Sequence, residues 1–189
     1  MTHLPMSRFT IVPTPLEGLV CVQRLKLEDS RGFFSRFFCA EELLDVGFQD
    51  PVAQINHTLT RRRGSVRGLH FQYPPHGEDK LVSCIRGEVF DVAVDLRKDS
   101  STFLRWHAER LSADNVRSLL IPKGFAHGFQ ALSDDAELIY LHSRAYTPGA
   151  EGGLNVLDPM LAIDWPLQFA DISDRDAKHP GLSSDFGGI

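Results

Sequence analysis

Residues 83–95 read Ser-Cys-Ile-Arg-Gly-Glu-Val-Phe-Asp-Val-Ala-Val-Asp, and this stretch decides the fold class. Both arms have strand character, most clearly the second with Val89, Phe90, Val92 and Val94. Arg86-Gly87 between them supplies turn chemistry, so the segment predicts two strands joined as a hairpin. Alternation in the second arm puts Phe90, Val92 and Val94 on one face and Asp91 and Asp95 on the other. On either side of it, strand character recurs at residues 19–27, 33–38, 52–56, 104–111, 117–121, 126–132 and 137–145. Turn-forming clusters separate these runs: Arg97-Lys98-Asp99-Ser100, Pro122-Lys123-Gly124 and Ser133-Asp134-Asp135. Helical signal is confined to residues 40–46, closed by Gly47 as a left-handed cap, and to a turn or two beyond Pro166. Many short strands with little helix predict a mostly β protein, a sandwich or barrel with a few short helices and a helical or irregular tail. A small barrel of this kind suits a ligand pocket in its mouth.

The 189 residues fit one domain, and no repeat or linker divides residues 1–189. Apolar residues make up 42% and charged residues 24% of the chain, ordinary values for a soluble globular protein. Twenty Lys and Arg against twenty-five Asp and Glu leave a net charge of −5. That balance argues against a nucleic-acid partner, because neutralising a phosphate backbone needs a basic face. A local basic pocket for one phosphorylated small molecule is compatible with it. No apolar run approaches the ~20 residues needed to cross a bilayer, which predicts no membrane partner. The opening MTHLPMSRF lacks the charged-then-apolar profile of a signal peptide. Cys21, Cys39 and Cys84 are odd in number and lack metal or redox spacing, which reads as reduced, mostly buried thiols in a cytoplasmic protein.

Several segments could carry chemistry. Arg67-Gly68-Leu69-His70-Phe71-Gln72 lies on or beside a strand, with Gly68, His70 and Gln72 on one face. His70 alone reads first as a hydrogen-bonded core histidine. Arg67 beside it favours a pocket, since an arginine entering a barrel needs an anionic partner. In Glu137-Leu138-Ile139-Tyr140-Leu141-His142, alternation puts Tyr140 and His142 on one face. Tyr140 is then either a buried hydrogen-bonder or a phenolic acid facing the interior. Lys80 is either solvated at a strand start or aimed at a carbonyl oxygen, where it would stabilise developing negative charge. Arg31, beside Phe33 and Phe34, combines charge for a phosphate with a ring for a base; the alternative is a turn with core phenylalanines. Arg61-Arg62-Arg63 reads as a solvated loop.

The block Ile121-Pro122-Lys123-Gly124-Phe125-Ala126-His127-Gly128-Phe129 contains Pro-x-Gly-x-x-His and resembles the second metal motif of the cupin superfamily. A metal cupin also needs His-x-His in its first motif, and here that place reads His70-Phe71-Gln72. Two imidazoles and an amide make a poor divalent site. The expectation is therefore a cupin-type jelly-roll barrel without metal or other cofactor, with two pocket histidines free for proton chemistry.

Taken together, these blocks resemble the dTDP-4-dehydrorhamnose 3,5-epimerase family over nearly the whole length. Gln54-Ile55-Asn56-His57-Thr58, Lys80-Leu81-Val82, Asp164-Trp165-Pro166 and Ser173-Asp174-Arg175-Asp176 complete the set, in the family's order. The resemblance implies a homodimer with exchanged N-terminal strands and a nucleoside-diphosphate 4-keto-6-deoxyhexose as substrate. It implies His70 as general base with Asp176 holding its ring, Tyr140 as acid on the opposite face, and Lys80 near the ketone oxygen. It further implies that Arg67 and Arg31 meet the diphosphate and nucleotide, Phe34 lies in the nucleotide site, and Gln54, Asn56 and His127 line the sugar pocket. Arg36 stands where the family commonly has an acidic residue, Glu78 and Asp79 precede the lysine, Ala145-Tyr146 replaces two aromatics, and Leu157 replaces an Asn. These departures leave room for a relative acting at one carbon only. A metal-dependent cupin enzyme and a non-catalytic sugar-nucleotide binder are the remaining alternatives.

Overall fold

The computed structural model describes residues 7–189; residues 1–6 of the opening MTHLPMSRF, in which the sequence shows no signal-peptide profile, lie outside the described residues. The chain runs through β1 (Phe9–Pro13), β2 (Val20–Arg24), β3 (Lys26–Asp29), β4 (Gly32–Ser35), α1 (Ala40–Leu44), β5 (Gln54–Thr60) and β6 (Val66–Gln72). It continues with β7 (Lys80–Arg86), β8 (Glu88–Asp95), β9 (Trp106–Ser112), β10 (Arg117–Ile121), β11 (Phe125–Ala131), β12 (Ala136–His142), β13 (Glu151–Gly153) and α2 (Asp174–Ala177). Two antiparallel sheets face one another, one in the order β1-β2-β10-β7-β12-β5 and the other β13-β6-β11-β8-β9, with β3 and β4 as a separate ribbon. This is the jelly-roll arrangement of a cupin barrel, mostly β with short helices. Among the described residues no helix is long and apolar enough to cross a membrane.

The segment at 83–95 does form two strands, but they are not a hairpin. β7 belongs to the six-stranded sheet and β8 to the five-stranded one, so Gly87 is a corner at which the chain changes layers. Its φ of +71° is left-handed, and a Cβ there would sit 2.1 Å from Ser133 Oγ. A corner and a tight hairpin ask the same of the turn residue, hence the misreading. Other boundaries shift more mildly. Residues 19–27 break into β2 and β3 at Leu25, and the expected strand at 52–56 becomes β5, which runs on to Thr60. Neither β1 nor β13 was anticipated. β1 ends in Pro13 at a sheet edge, where a missing N–H is tolerated, and β13 is Glu-Gly-Gly, held by pairing with β6.

The alternation in β8 holds, and its faces are both covered. Val89 and Ala93 join Val82, Cys84, Leu119, Phe129 and Leu138 in the core between the sheets. Asp91 lies on that same interior face, fully buried. Val92 and Val94 point the other way, into a second cluster where the tail (Leu154, Val156, Leu161, Trp165) wraps the outside of the five-stranded sheet. A third cluster packs α1 and Phe48 on the outside of the six-stranded sheet. At roughly 1.5–3 kcal/mol per fully buried large apolar side chain, these three clusters supply the main drive for folding, and they leave the barrel mouth free to be polar.

Candidate active site

One end of the barrel interior opens into a cavity of about 510 Å³ between the sheets. It continues the core with a change of chemistry. Along the inward face of β12, Ala136 and Leu138 lie in the core, while Tyr140 and His142 reach the cavity. Along β7, Cys84 and Val82 lie in the core and Lys80 in the cavity. β5 contributes Gln54, Asn56 and Thr58, β6 contributes Arg67 and His70, and α2 adds Arg175 and Asp176. Strict alternation would put Arg67 and His70 on opposite faces. The pairing of β6 with β11 shifts register, His127 facing His70 but Phe129 facing Arg67. β6 thus carries one extra residue there, a bulge that turns both side chains inward. Gly68 sits in it with a φ of +115°, and a Cβ would meet Gly128 Cα at 2.5 Å, so only glycine permits this approach.

His70 and Asp176 form a close pair, Nε2 to Oδ1 2.9 Å. The other carboxylate oxygen accepts the Gly68 N–H at 3.1 Å, and the Asp176 N–H donates to Ser173 Oγ, which caps α2. Burial would raise the Asp176 pKa, but hydrogen bonds from His70 and Gly68 outweigh it and hold the carboxyl below its ordinary range. With Nε2–H given to Asp176, the Nδ1 lone pair of His70 has no protein partner among the described residues. Burial lowers the His70 pKa and outweighs the opposing hydrogen bond and charge of Asp176, while Arg175 and Lys80 lower it a little further. At neutral pH the ring is a free base.

Tyr140 stands on the opposite sheet and is 8% exposed. Burial pushes its pKa up, so it remains a phenol, able to donate a proton. Its ring lies edge-on to His127, centroids 5.9 Å apart, and stacks with His142 at 6.1 Å. Lys80 Nζ is 3.1 Å from Glu78 and 3.5 Å from the His70 carbonyl oxygen. Glu78 also meets His142 Nδ1 at 3.0 Å, and His142 Nε2 lies 3.3 Å from Asn56 Nδ2. Desolvation opposes ionisation of Glu78, but His142 and Lys80 more than compensate and lower its pKa. His127 is pinned, its Nε2 3.0 Å from both oxygens of Asp91. Gln72 is engaged as well: its amide donates to the His76 and Ala145 carbonyls and accepts the Thr147 N–H at 2.8 Å. Of the cupin metal motif, Gln72 and His127 Nε2 are thus tied to protein partners and, among the described residues, His70 Nδ1 is left free, a poor fit to a cation at that place.

Of the residues singled out in the sequence, His70, Tyr140, Asp176, Lys80, Gln54, Asn56, Arg67 and His127 all line this cavity. Arg31 and Phe34 do not. They sit on the β3–β4 ribbon, where Arg31 pairs with Asp29 at 2.6 Å and Phe34 is 62% exposed. The strand expected at 33–38 forms only as far as Ser35, in β4, and that ribbon stands apart from both sheets. Glu78, His142, Tyr146, Glu151 and Arg175 were missed as cavity residues. The period-two pattern already set His142 on the face of Tyr140, which was the available signal for it. Cys84 is fully buried, and desolvation pushes its thiol up to about 11, which removes it as a nucleophile; Cys21 is held at about 11 in the same way.

A jelly-roll barrel that gathers a histidine–carboxylate pair, a buried phenol and a lysine around one cavity defines an acid–base isomerase of cupin type. The sequence matches the model of the dTDP-4-dehydrorhamnose 3,5-epimerase family over residues 13–184. It is 41% identical to dTDP-4-dehydrorhamnose 3,5-epimerase of Shigella flexneri over 88% of this chain and 92% of that one. It is likewise 41% identical to dTDP-4-dehydrorhamnose 3-epimerase of Streptomyces niveus, over 87% of this chain and 79% of that one. Among solved structures, the Legionella pneumophila dTDP-6-deoxy-D-glucose-3,5-epimerase in complex with dTDP-4-keto-L-rhamnose superposes with a TM-score of 0.87, at 41% identity and 92% coverage of both chains. The chain belongs to the dTDP-4-dehydrorhamnose 3,5-epimerase family.

Proposed function

We propose that this protein inverts carbons 3 and 5 of a dTDP-linked 4-keto-6-deoxyhexose, in rhamnose-type deoxysugar biosynthesis. The observation that carries the reading is the placement of His70 and Tyr140 on opposing sheets of one cavity. Carbons 3 and 5 both flank the carbonyl, so polarising one ketone acidifies both C–H bonds. His70 takes a proton at Nδ1, and Asp176 stabilises the imidazolium that forms. The electron pair moves to the ketone oxygen as an enolate, which Lys80 meets. Tyr140 returns a proton from the other face, inverting the centre. Glu78, ion-paired to Lys80, moderates that positive charge. Arg67, Gln54, Asn56 and His127 hold the diphosphate and sugar.

Arg31 and Phe34 enter through a second copy of the chain. β5 is an open sheet edge beside the cavity, with Ile55 and Leu59 exposed, and the β3–β4 ribbon exposes Leu27, Phe33 and Phe34. Exchange of N-terminal strands between two single-domain protomers would cover both and bring Arg31 to the partner's nucleotide site. Three free cysteines support a cytoplasmic setting.

The test is proton NMR in heavy water with dTDP-4-keto-6-deoxyglucose. Washout at both H3 and H5, with the inverted product, is the expected result. Washout at one centre alone would replace this reading by a single-centre epimerase, to which a relative of equal identity answers. Binding without washout would make the protein a sugar-nucleotide carrier.

A further inference from the structure

Asp176 serves two imidazoles. His70 Nε2 lies 2.9 Å from its Oδ1, and His179 Nε2 lies 3.7 Å from the same atom. The two rings meet edge to face with centroids 5.5 Å apart. His179 Nε2 is buried and has no hydrogen-bond partner among the described residues, an unfavourable state unless something fills it. The niche for this ring is built in: Gly153 pairs with His70 across β13 and β6, and a Cβ there would lie 2.2 Å from the His179 ring. Among the described residues, His70, Asp176 and His179 are the one group of metal-ligand atoms gathered within 4.8 Å of one another.

We propose that these three side chains form a divalent-cation site of the zinc type, and that filling it switches the enzyme off. Two imidazole nitrogens and a carboxylate oxygen match the ligand preference of Zn²⁺. Tetrahedral ligands at ~2.0–2.2 Å from zinc stand about 3.3 Å apart, and the observed 2.9 and 3.7 Å bracket that spacing. The chemistry is a tautomer exchange. Neutral His70 holds one proton, on Nε2. Zinc takes the Nε2 lone pair, the proton moves to Nδ1, and no proton or electron leaves the ring. The nitrogen that would receive the substrate's proton then no longer has a free pair. Arg175 opposes the metal, its guanidinium 3.0 Å from His70 Nε2 and 3.5 Å from Asp176 Oδ1. Its side chain is 57% exposed and leans on Glu151 at 3.3 Å, so it can swing aside and sets the zinc concentration required.

The inhibition rests on His70 being the base; the binding does not. The full chain in chelator-free buffer, titrated with ZnCl₂ in a calorimeter, should take up one equivalent. Nitrogen-15 NMR of labelled histidines should show the His70 ring pass from the Nε2–H to the Nδ1–H tautomer, with deuterium exchange on the keto-sugar lost and then restored by EDTA. His179→Asn should keep basal exchange and weaken zinc binding by more than about tenfold, since even outer-shell partners are worth that much. Arg175→Met should tighten it. Unaltered zinc affinity in His179→Asn, or zinc bound without the tautomer change in the wild-type protein, overturns the site. Zinc bound with the tautomer change but undiminished exchange keeps the site and overturns His70 as base.

Discussion

Two hydrogen-bonded histidine–aspartate pairs stand on neighbouring strands among the described residues, and their surroundings give them different work. His127 faces His70 directly across β11 and β6. The His127 side chain is 7% exposed, and Asp91 grips its Nε2 with both oxygens at 3.0 Å. The His70 side chain is 28% exposed, and Asp176 holds it through one oxygen. Asp91 lies on β8, a strand beside β11, so that pair is braced within the sheet. Asp176 comes from α2, 106 residues away from His70 in the chain. The same chemical couple is thus a buried brace in one place and an accessible base in the other. What separates them is the exposure of the ring and a hold by one carboxylate oxygen rather than two, not the identity of the residues.

The largest effect should come from His70→Asn, which removes the base. Exchange of the keto-sugar's ring protons should fall about 10²- to 10⁴-fold, measured by NMR, with the melting temperature little changed. Should His127→Asn give an equal loss, the division between the two pairs is wrong. Asp91→Ala is the converse test. Breaking a buried pair by removing one partner costs about 3–5 kcal/mol, a drop of roughly 10 °C in a protein of this size, read by circular dichroism. Asp176→Ala should lower the melting temperature less and exchange far more.

Tyr140→Phe sharpens the comparison from the opposite wall. His70 can still remove a proton and return a deuteron to the same face. Inversion should therefore fall about 10²-fold while deuterium incorporation falls less, and equal losses in both would remove Tyr140 as the acid. The smallest effect concerns pH. His70 works unprotonated, so kcat/KM should rise with pH through its pKa, which burial and its cationic neighbours hold below the ordinary 6.5. Arg175→Met removes one of those cations, and the acid limb of the profile should move to higher pH. An unmoved limb would mean that the titrating group is elsewhere.

Much of this was legible in the sequence because strand alternation is local. Tyr140 and His142 were placed on one face by counting, and Lys80 was found at its strand start. The positions that failed are those decided by partners. Arg86-Gly87 carries a turn signal whichever sheet the next strand joins, so the corner read as a hairpin. Arg67 reaches the cavity only because β6 bulges against β11, a property of two strands rather than one. Glu78 matters through side chains at positions 80 and 142, and no periodicity ties those three together. Asp176 was found by resemblance alone, since a four-residue helix in an irregular tail has no pattern that points at a strand end.

That tail has a consequence in time. Asp176 follows every strand of both sheets in the order of synthesis, and its bond to the Gly68 amide fastens it to the barrel wall. A nascent barrel can therefore close, and even admit a sugar nucleotide, while it still lacks the carboxylate that aims its imidazole. Loss of the chain from α2 onward in the finished protein would remove that carboxylate together with Leu182, Phe186 and Ile189, which cover the five-stranded sheet.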